Sequence, residues 1–120
     1  MKELFGQPYI DSDPYWVVKG YFDRMYHDGN FIKSIELLVK KWGFSTDGAY
    51  CNFPDLDSFF EEEHFEGVEF AYGYPPREEN TIIVSEEIFS KYIRLACDKY
   101  VNLHPEDTVK VKELLDQLSF

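Results

Sequence analysis

The sequence lacks a run of about 18 apolar residues, the length that a helix needs to cross a bilayer. It is also poor in basic residues, since 12 Lys and Arg stand against 23 Asp and Glu for a formal net charge of -11. A field of that sign repels phosphate groups, which proteins bind by neutralising them with Lys and Arg. Anionic membrane surfaces are disfavoured for the same reason. We therefore expect neither direct nucleic-acid binding nor membrane association.

Cysteine is scarce as well, and only Cys51 and Cys97 are present. Two cysteines in so hydrophobic a chain do not form a disulfide framework, so we predict buried, reduced thiols of a reducing compartment. The first residues, MKELFGQPYIDSD, contain no apolar stretch of the length found in secretory signals and no small-residue cleavage site. These features predict a cytoplasmic protein.

Specific catalytic motifs are missing too. There is no G-x-S-x-G, H-E-x-x-H, P-loop, G-x-G-x-x-G or C-x-x-C pattern, so the sequence predicts neither an enzyme nor a cofactor. One pair raises an alternative, because Glu61 and His64 have the spacing with which one helix face presents two metal ligands in di-iron bundles. Such a site needs a second pair of this kind, which the chain does not contain. A solvated turn is the plainer interpretation of this segment.

The residues that are present predict a folded globule. Hydrophobic residues make up 44% and aromatic residues 18% of the 120, and this length is typical of one domain, residues 1–120. Asp13 as N-cap and Pro14 at the first position predict a helix ending near Gly29. A second helix is predicted from the cap Asn30 to Gly43, with an apolar stripe of Phe31, Ile35, Leu38, Val39 and Trp42.

The middle of the chain changes to strand periodicity. Strands are predicted over GAYCNF, over GVEFAYGY and, after a turn at YPPREEN, over TIIV. Ser85 then caps a helix that His104 and Pro105 break, and Pro105 opens a last helix, PEDTVKVKELLDQL. An antiparallel meander is favoured over parallel crossovers, which need connections of a dozen or more residues. The predicted fold is α+β, a small three-stranded antiparallel sheet flanked by an N-terminal helical hairpin and two C-terminal helices.

Negative charge is concentrated in one part of the chain. Residues 53–70 hold seven acidic residues and no Lys or Arg, and Glu78 and Glu79 follow in the predicted turn. An acidic surface of this kind suits a positively charged partner, such as a nuclease whose cleft binds phosphates. Tyr74, beside the two prolines, is a candidate aromatic anchor. The predicted partner-binding residues are Asp55, Asp57, Glu61, Glu62, Glu63, Tyr74, Glu78 and Glu79.

Two long stretches carry a family resemblance. FSTDGAYCNFPDLDSFFEEEHFEGVEFAYGYPP, followed by VSEEIFSKYIRLACDKYVNLHPED, resembles the ribonuclease-toxin immunity proteins of contact-dependent growth inhibition, the CdiI class. The similarity runs from about DPYWVVKGYF to the last helix. It implies a cytosolic antidote that binds the C-terminal ribonuclease toxin domain of a CdiA effector and blocks its active site, with no enzymatic activity and no cofactor.

Charge and resemblance together support one hypothesis. The chain is predicted to be an immunity protein that covers the basic active-site cleft of a cognate ribonuclease toxin with an acidic surface. The alternatives are an acidic adaptor for another basic protein, a metal-dependent enzyme that uses Glu61 and His64, and acidic residues that serve solubility alone.

Overall fold

The structure, a computed structural model, describes residues 4–5, 13–46, 48–54, 67–73 and 76–118. Within these ranges the chain forms four α-helices, one short 3-10 helix and a three-stranded sheet, so the predicted α+β fold is confirmed. The elements in chain order are α1 (Trp16–His27), α2 (Phe31–Leu38), β1 (Ala49–Asn52), β2 (Val68–Gly73), β3 (Pro76–Val84), α3 (Glu86–Leu103), the 3-10 helix (Pro105–Asp107) and α4 (Thr108–Leu115).

The sheet is an antiparallel meander in the order β1-β2-β3, as predicted. Cys51 pairs with Phe70, and Phe70 in turn pairs with Ile82. The third strand is longer than the predicted TIIV, because its pairing with β2 extends back to Pro76 opposite Gly73. The segment PREEN, predicted as part of a turn, is therefore strand.

Helices α1 and α3 pack on the side of the sheet from which Phe70 projects. The Phe70 ring lies 5.3 Å from the ring of Tyr21 and 6.2 Å from that of Phe89, measured between centroids. The Tyr21 hydroxyl donates a hydrogen bond of 2.7 Å to the carbonyl of Phe44, which satisfies its one polar group inside the core. Tyr21 and Phe89 are thus among the buried residues by which α1 and α3 pack on the sheet.

The first helix begins later than predicted. Asp13 accepts a hydrogen bond from the backbone N–H of Tyr15, but residues 14 and 15 form a turn and the helix begins at Trp16. Its end is as predicted, since Gly29 has φ 77 and the N–H of Asn30 reaches the carbonyl of Met25 at 2.8 Å. This is the bonding pattern that lets a left-handed glycine close a helix.

The predicted end of the second helix at Gly43 is wrong. Lys41 takes the left-handed conformation with φ 62, and the N–H of Trp42 bonds the carbonyl of Leu37 at 3.0 Å, so the helix closes before Trp42. Trp42 is consequently 59% exposed instead of lying on the apolar stripe. Gly43 has a different role, because a Cβ there would approach the carbonyl oxygen of Cys51 to 2.7 Å.

The C-terminal part follows the prediction with one change. The Ser85 hydroxyl accepts a hydrogen bond from the N–H of Ile88 and caps α3 as expected. Pro105 opens a 3-10 turn, and α4 begins at Thr108, not at the proline. Both cysteines are free and buried, as predicted. Among the described residues, no helix combines the length and apolarity that a membrane crossing requires.

Candidate functional site

Most of the predicted partner-binding residues lie outside the described part of the chain: Asp55, Asp57, Glu61, Glu62, Glu63 and Tyr74. The other two, Glu78 and Glu79, are exposed, as a docking surface requires. Their predicted location in a turn is wrong, because both lie within β3. The structure thus describes one portion of the predicted acidic surface and places it on a strand.

An acidic edge follows from the path of β3 into α3. It consists of Glu78, Glu79, Glu86 and Glu87, all exposed, and residues 78–87 contain no Lys or Arg. The second pair of glutamates occupies the first turn of α3, where the helix dipole stabilises negative charge. The first pair belongs to an outer strand of the described sheet. Four carboxylates are therefore displayed along one continuous stretch of backbone.

The pairing of β2 with β3 is irregular beside Glu78 and Glu79. Ala71 pairs with Thr81 and Gly73 pairs with Pro76. These two pairs are two residues apart along β2 but five residues apart along β3. The additional residues of β3 include both glutamates. Irregularities of this kind bend an edge strand and redirect its side chains, and charged residues there discourage pairing with another strand. This geometry favours recognition through side chains.

Ile83 is an apolar residue of the same strand whose exposure was not predicted. It is 47% exposed and lies directly opposite Glu69, whose carboxylate accepts a hydrogen bond of 3.2 Å from the Asn52 amide. The apolar run TIIV by itself indicates no difference in exposure among its residues. The signal for exposure was available in β2, where Glu69 alternates with buried Val68 and Phe70, and its cross-strand partner shares its face.

A second feature is an aromatic pocket between the α1–α2 turn and the end of α3. The cavity has a volume of about 380 Å³. Its lining comprises Tyr26, His27, Gly29, Phe31, Ile32, Tyr100 and His104. The rings of Phe31 and Tyr100 stack with centroids 4.5 Å apart, and the Tyr26 ring meets Tyr100 edge-on at 5.9 Å. These contacts hold the apolar walls of the pocket in place.

A chain of hydrogen bonds runs through His104 at the pocket. Nε2 of His104 lies 2.6 Å from the hydroxyl of Tyr26, and Nδ1 lies 3.3 Å from Oε1 of Glu106. A neutral imidazole satisfies both contacts when Nε2 accepts from the tyrosine and Nδ1–H donates to the carboxylate. This arrangement orients the Tyr26 ring and the Glu106 carboxylate around one histidine.

Tyr100 connects the pocket to a further carboxylate. Its hydroxyl donates a hydrogen bond of 2.6 Å to Oδ2 of Asp107. Burial raises the pKa of the Tyr100 hydroxyl well above its ordinary value, and the hydrogen bond to Asp107 raises this pKa further. Tyr100 is therefore held as a neutral donor, and Asp107 is held beside the pocket.

Local turns assemble these groups from distant parts of the chain. Gly29 allows α2 to follow α1 closely, which brings Tyr26 and Phe31 to the same cavity. Pro105 starts the 3-10 turn that returns Glu106 and Asp107 toward the end of α3. In the sequence, His104 and Pro105 indicated only a helix break. A His-Pro followed by two acids was the available signal for a polar turn.

The metal hypothesis rested on residues that the structure does not describe. Glu61 and His64 both lie outside the described ranges. Over the ranges that it does describe, no group of three or more His, Cys, Asp and Glu side chains is arranged to hold a metal ion.

Fold and surface together define a small α+β protein with an acidic edge and an aromatic pocket. The family model of the CDI immunity proteins matches residues 14–115, and the chain belongs to that family. The fold is similar to that of an immunity protein from Neisseria meningitidis MC58 whose crystal structure is known, with a TM-score of 0.72, 18% identity and 86% of each chain covered. A search of curated proteins finds no match.

Proposed function

We propose that this immunity protein binds the C-terminal ribonuclease toxin domain of a cognate CdiA effector in the cytoplasm and neutralises it. The acidic surface covers the basic active-site cleft of the toxin, and no catalytic step by the immunity protein is involved. Membership of the CDI immunity family supports the role, and the acidic edge supports the mode of binding.

The exposed glutamates of the acidic edge are the observation that carries this proposal. A ribonuclease binds RNA phosphates with Lys and Arg, so its cleft is positively charged. Glu78, Glu79, Glu86 and Glu87 offer carboxylates to those same side chains, and bidentate contacts with Arg are the strongest of this type. The net charge of -11 attracts the toxin over distances up to about 8 Å at physiological ionic strength. Electrostatic steering of this kind raises the association rate.

Ile83 complements the charges on this surface. Interfaces derive most of their affinity from a few desolvated anchors surrounded by contacts that exclude water. Ile83 is an exposed apolar side chain on the strand that carries Glu78 and Glu79, and it faces outward together with Glu69. Its burial by the toxin would exclude water from this face of the sheet, and ion pairs are stronger where water is excluded.

Co-expression with the cognate toxin domain tests the function. The purified complex should contain both chains, and the toxin in it should cleave RNA far more slowly than the free toxin. A variant with Gln in place of Glu78, Glu79, Glu86 and Glu87 should remain folded, bind more weakly and protect cells less. A complex that retains full ribonuclease activity would instead indicate an acidic adaptor, and the proposed inhibition would be wrong.

A further inference from the structure

The aromatic pocket is not part of the acidic edge, and its chemistry differs. Its walls are rings of Tyr26, Phe31 and Tyr100, of which Phe31 is 2% exposed and Tyr100 8%. The carboxylates beside it belong to Glu106, which is exposed, and Asp107, which is half-buried. An apolar aromatic cavity with carboxylates beside it is complementary to a flat, weakly hydrated cation.

We propose that this pocket receives an arginine side chain of the toxin. The inference rests on the proposed function, because it assumes that the toxin is the partner, and it adds a second contact beyond the acidic edge. The planar guanidinium can contact the ring of Tyr26, which is half-buried, and donate hydrogen bonds to the Glu106 carboxylate. A lysine ammonium is a more strongly hydrated point charge that lies over aromatic rings less often than a guanidinium does and lacks its flat surface.

Charge around the pocket supports a cationic occupant. Arg24 on α1 is paired with Asp28 at 2.8 Å, and Lys110 on α4 lies 3.8 Å from Glu36. These two basic side chains are thus directed to partners of their own. His27 and His104 line the pocket, and Nδ1 of His104 contacts the Glu106 carboxylate. The carboxylates of Glu106 and Asp107 therefore supply the charge that a guanidinium would meet.

The cavity is large enough to hold an arginine side chain. Its volume of about 380 Å³ lies near the lower end of the roughly 300–1,000 Å³ found for small-molecule pockets. The apolar surface requires an occupant with an aliphatic stem, and arginine has one behind its charged head. An apolar side chain would fill the cavity but would give the exposed Glu106 carboxylate no additional cationic partner.

Two variants test the pocket by its effect on toxin affinity. Ile32→Trp places an indole in the cavity, and Leu95→Trp adds the same group at an exposed position of α3 that does not line it. Titration calorimetry with catalytically inactive toxin should show at least a roughly tenfold loss of affinity for Ile32→Trp, as when an interface anchor is removed. Leu95→Trp should bind as the wild type does.

A second pair of variants does not disturb the pocket walls. Glu106→Gln removes the carboxylate that contacts His104 of the pocket, and Glu113→Gln removes another exposed charge from α4. Affinity should fall more for Glu106→Gln than for Glu113→Gln. Equal affinities for these two variants, together with wild-type affinity for Ile32→Trp, would overturn the inference about the pocket. The proposed function would still stand if the wild-type chain bound the toxin. Failure of the wild-type chain to bind toxin would overturn both.

Chemical modification identifies the occupant. Phenylglyoxal, which modifies arginine, should leave one toxin arginine unmodified in the wild-type complex and modify it in the complex with Ile32→Trp at saturating concentration. Mass spectrometry of toxin peptides reads out the difference. The same arginine pattern in both complexes would contradict the assignment and point to an apolar or lysine occupant.

Discussion

The hydroxyl of Tyr26 lies 2.6 Å from Nε2 of His104, a contact between residues 78 positions apart in the chain. It joins the end of α1 to the residue that ends α3, and both residues line the aromatic pocket. The contact therefore stabilises the relative position of the two helices and at the same time orients the pocket wall.

Removal of this hydroxyl should lower stability without loss of the fold. Tyr26→Phe keeps the ring and its contact with Tyr100 but leaves Nε2 of His104 without its partner, at a cost of about 0.5–1.5 kcal/mol. Urea denaturation gives the free energy of unfolding. Tyr50→Phe is the control, since Tyr50 is a half-exposed tyrosine of β1. An equal change for both variants would show that the hydrogen bond contributes nothing specific.

Two glycines with positive φ should respond differently to substitution by alanine. A Cβ at Gly29 (φ 77) would meet no atom within 4 Å, whereas a Cβ at Gly67 (φ 102) would lie 2.0 Å from the carbonyl oxygen of Val84. Gly29→Ala should cost roughly the 1–2 kcal/mol of left-handed strain. Gly67→Ala should cost clearly more, because β2 and β3 must separate. Similar unfolding free energies for both variants would contradict the close approach at Gly67.

The two thiols should resist labelling in the folded protein. Burial, with a smaller effect from nearby Asp98, raises the pKa of Cys97 to about 12, while burial and then Glu69 raise the pKa of Cys51. Since the thiolate is the reactive form, a bulky disulfide reagent should modify both residues only after unfolding. Rapid modification in the absence of denaturant would show that α3 and β1 are packed differently.

Stability should fall in acid partly through the Asp13–Lys19 ion pair. The hydrogen bond from Lys19 holds the pKa of Asp13 below its ordinary value of 3.8, and the N–H of Tyr15 adds to this effect. The pair therefore stabilises the fold above the unfolded-state pKa, and this contribution is lost as the pH falls through the lower folded-state pKa. The difference in unfolding free energy between wild type and Asp13→Asn should shrink below about pH 4. Lys19→Met should remove the same pH-dependent contribution, and a difference that stays constant with pH would contradict it.

Local signals in the sequence were sufficient to predict much of the fold. Gly29 closes α1 and Ser85 caps the start of α3, and both residues act on the backbone directly beside them. Both occupy the positions predicted from the sequence. The boundary of α2 was wrong because Lys41, which has no special preference for positive φ, closes the helix. This choice depends on how the following chain approaches β1 at Gly43, which periodicity cannot show.

The candidate sites were less predictable for a physical reason. The exposure of Ile83 depends on cross-strand register, and the aromatic pocket depends on contacts between α1 and residues more than 70 positions later. Neither follows from spacing within one element. Acidic composition, by contrast, is visible directly, and it identified Glu78 and Glu79 as exposed residues while placing them on the wrong type of element.

Stopped-flow association with the toxin domain tests the central role of the acidic edge most directly. The double variant Glu78→Gln/Glu79→Gln loses two charges from the edge, and Glu113→Gln/Asp116→Asn loses two exposed charges from the region of α4. Both have the same net charge, so their comparison separates location from total charge. We predict that the edge variant associates more slowly than the α4 variant and that its association rate depends less on salt. Equal association rates and equal salt dependence for the two variants would contradict docking through the acidic edge.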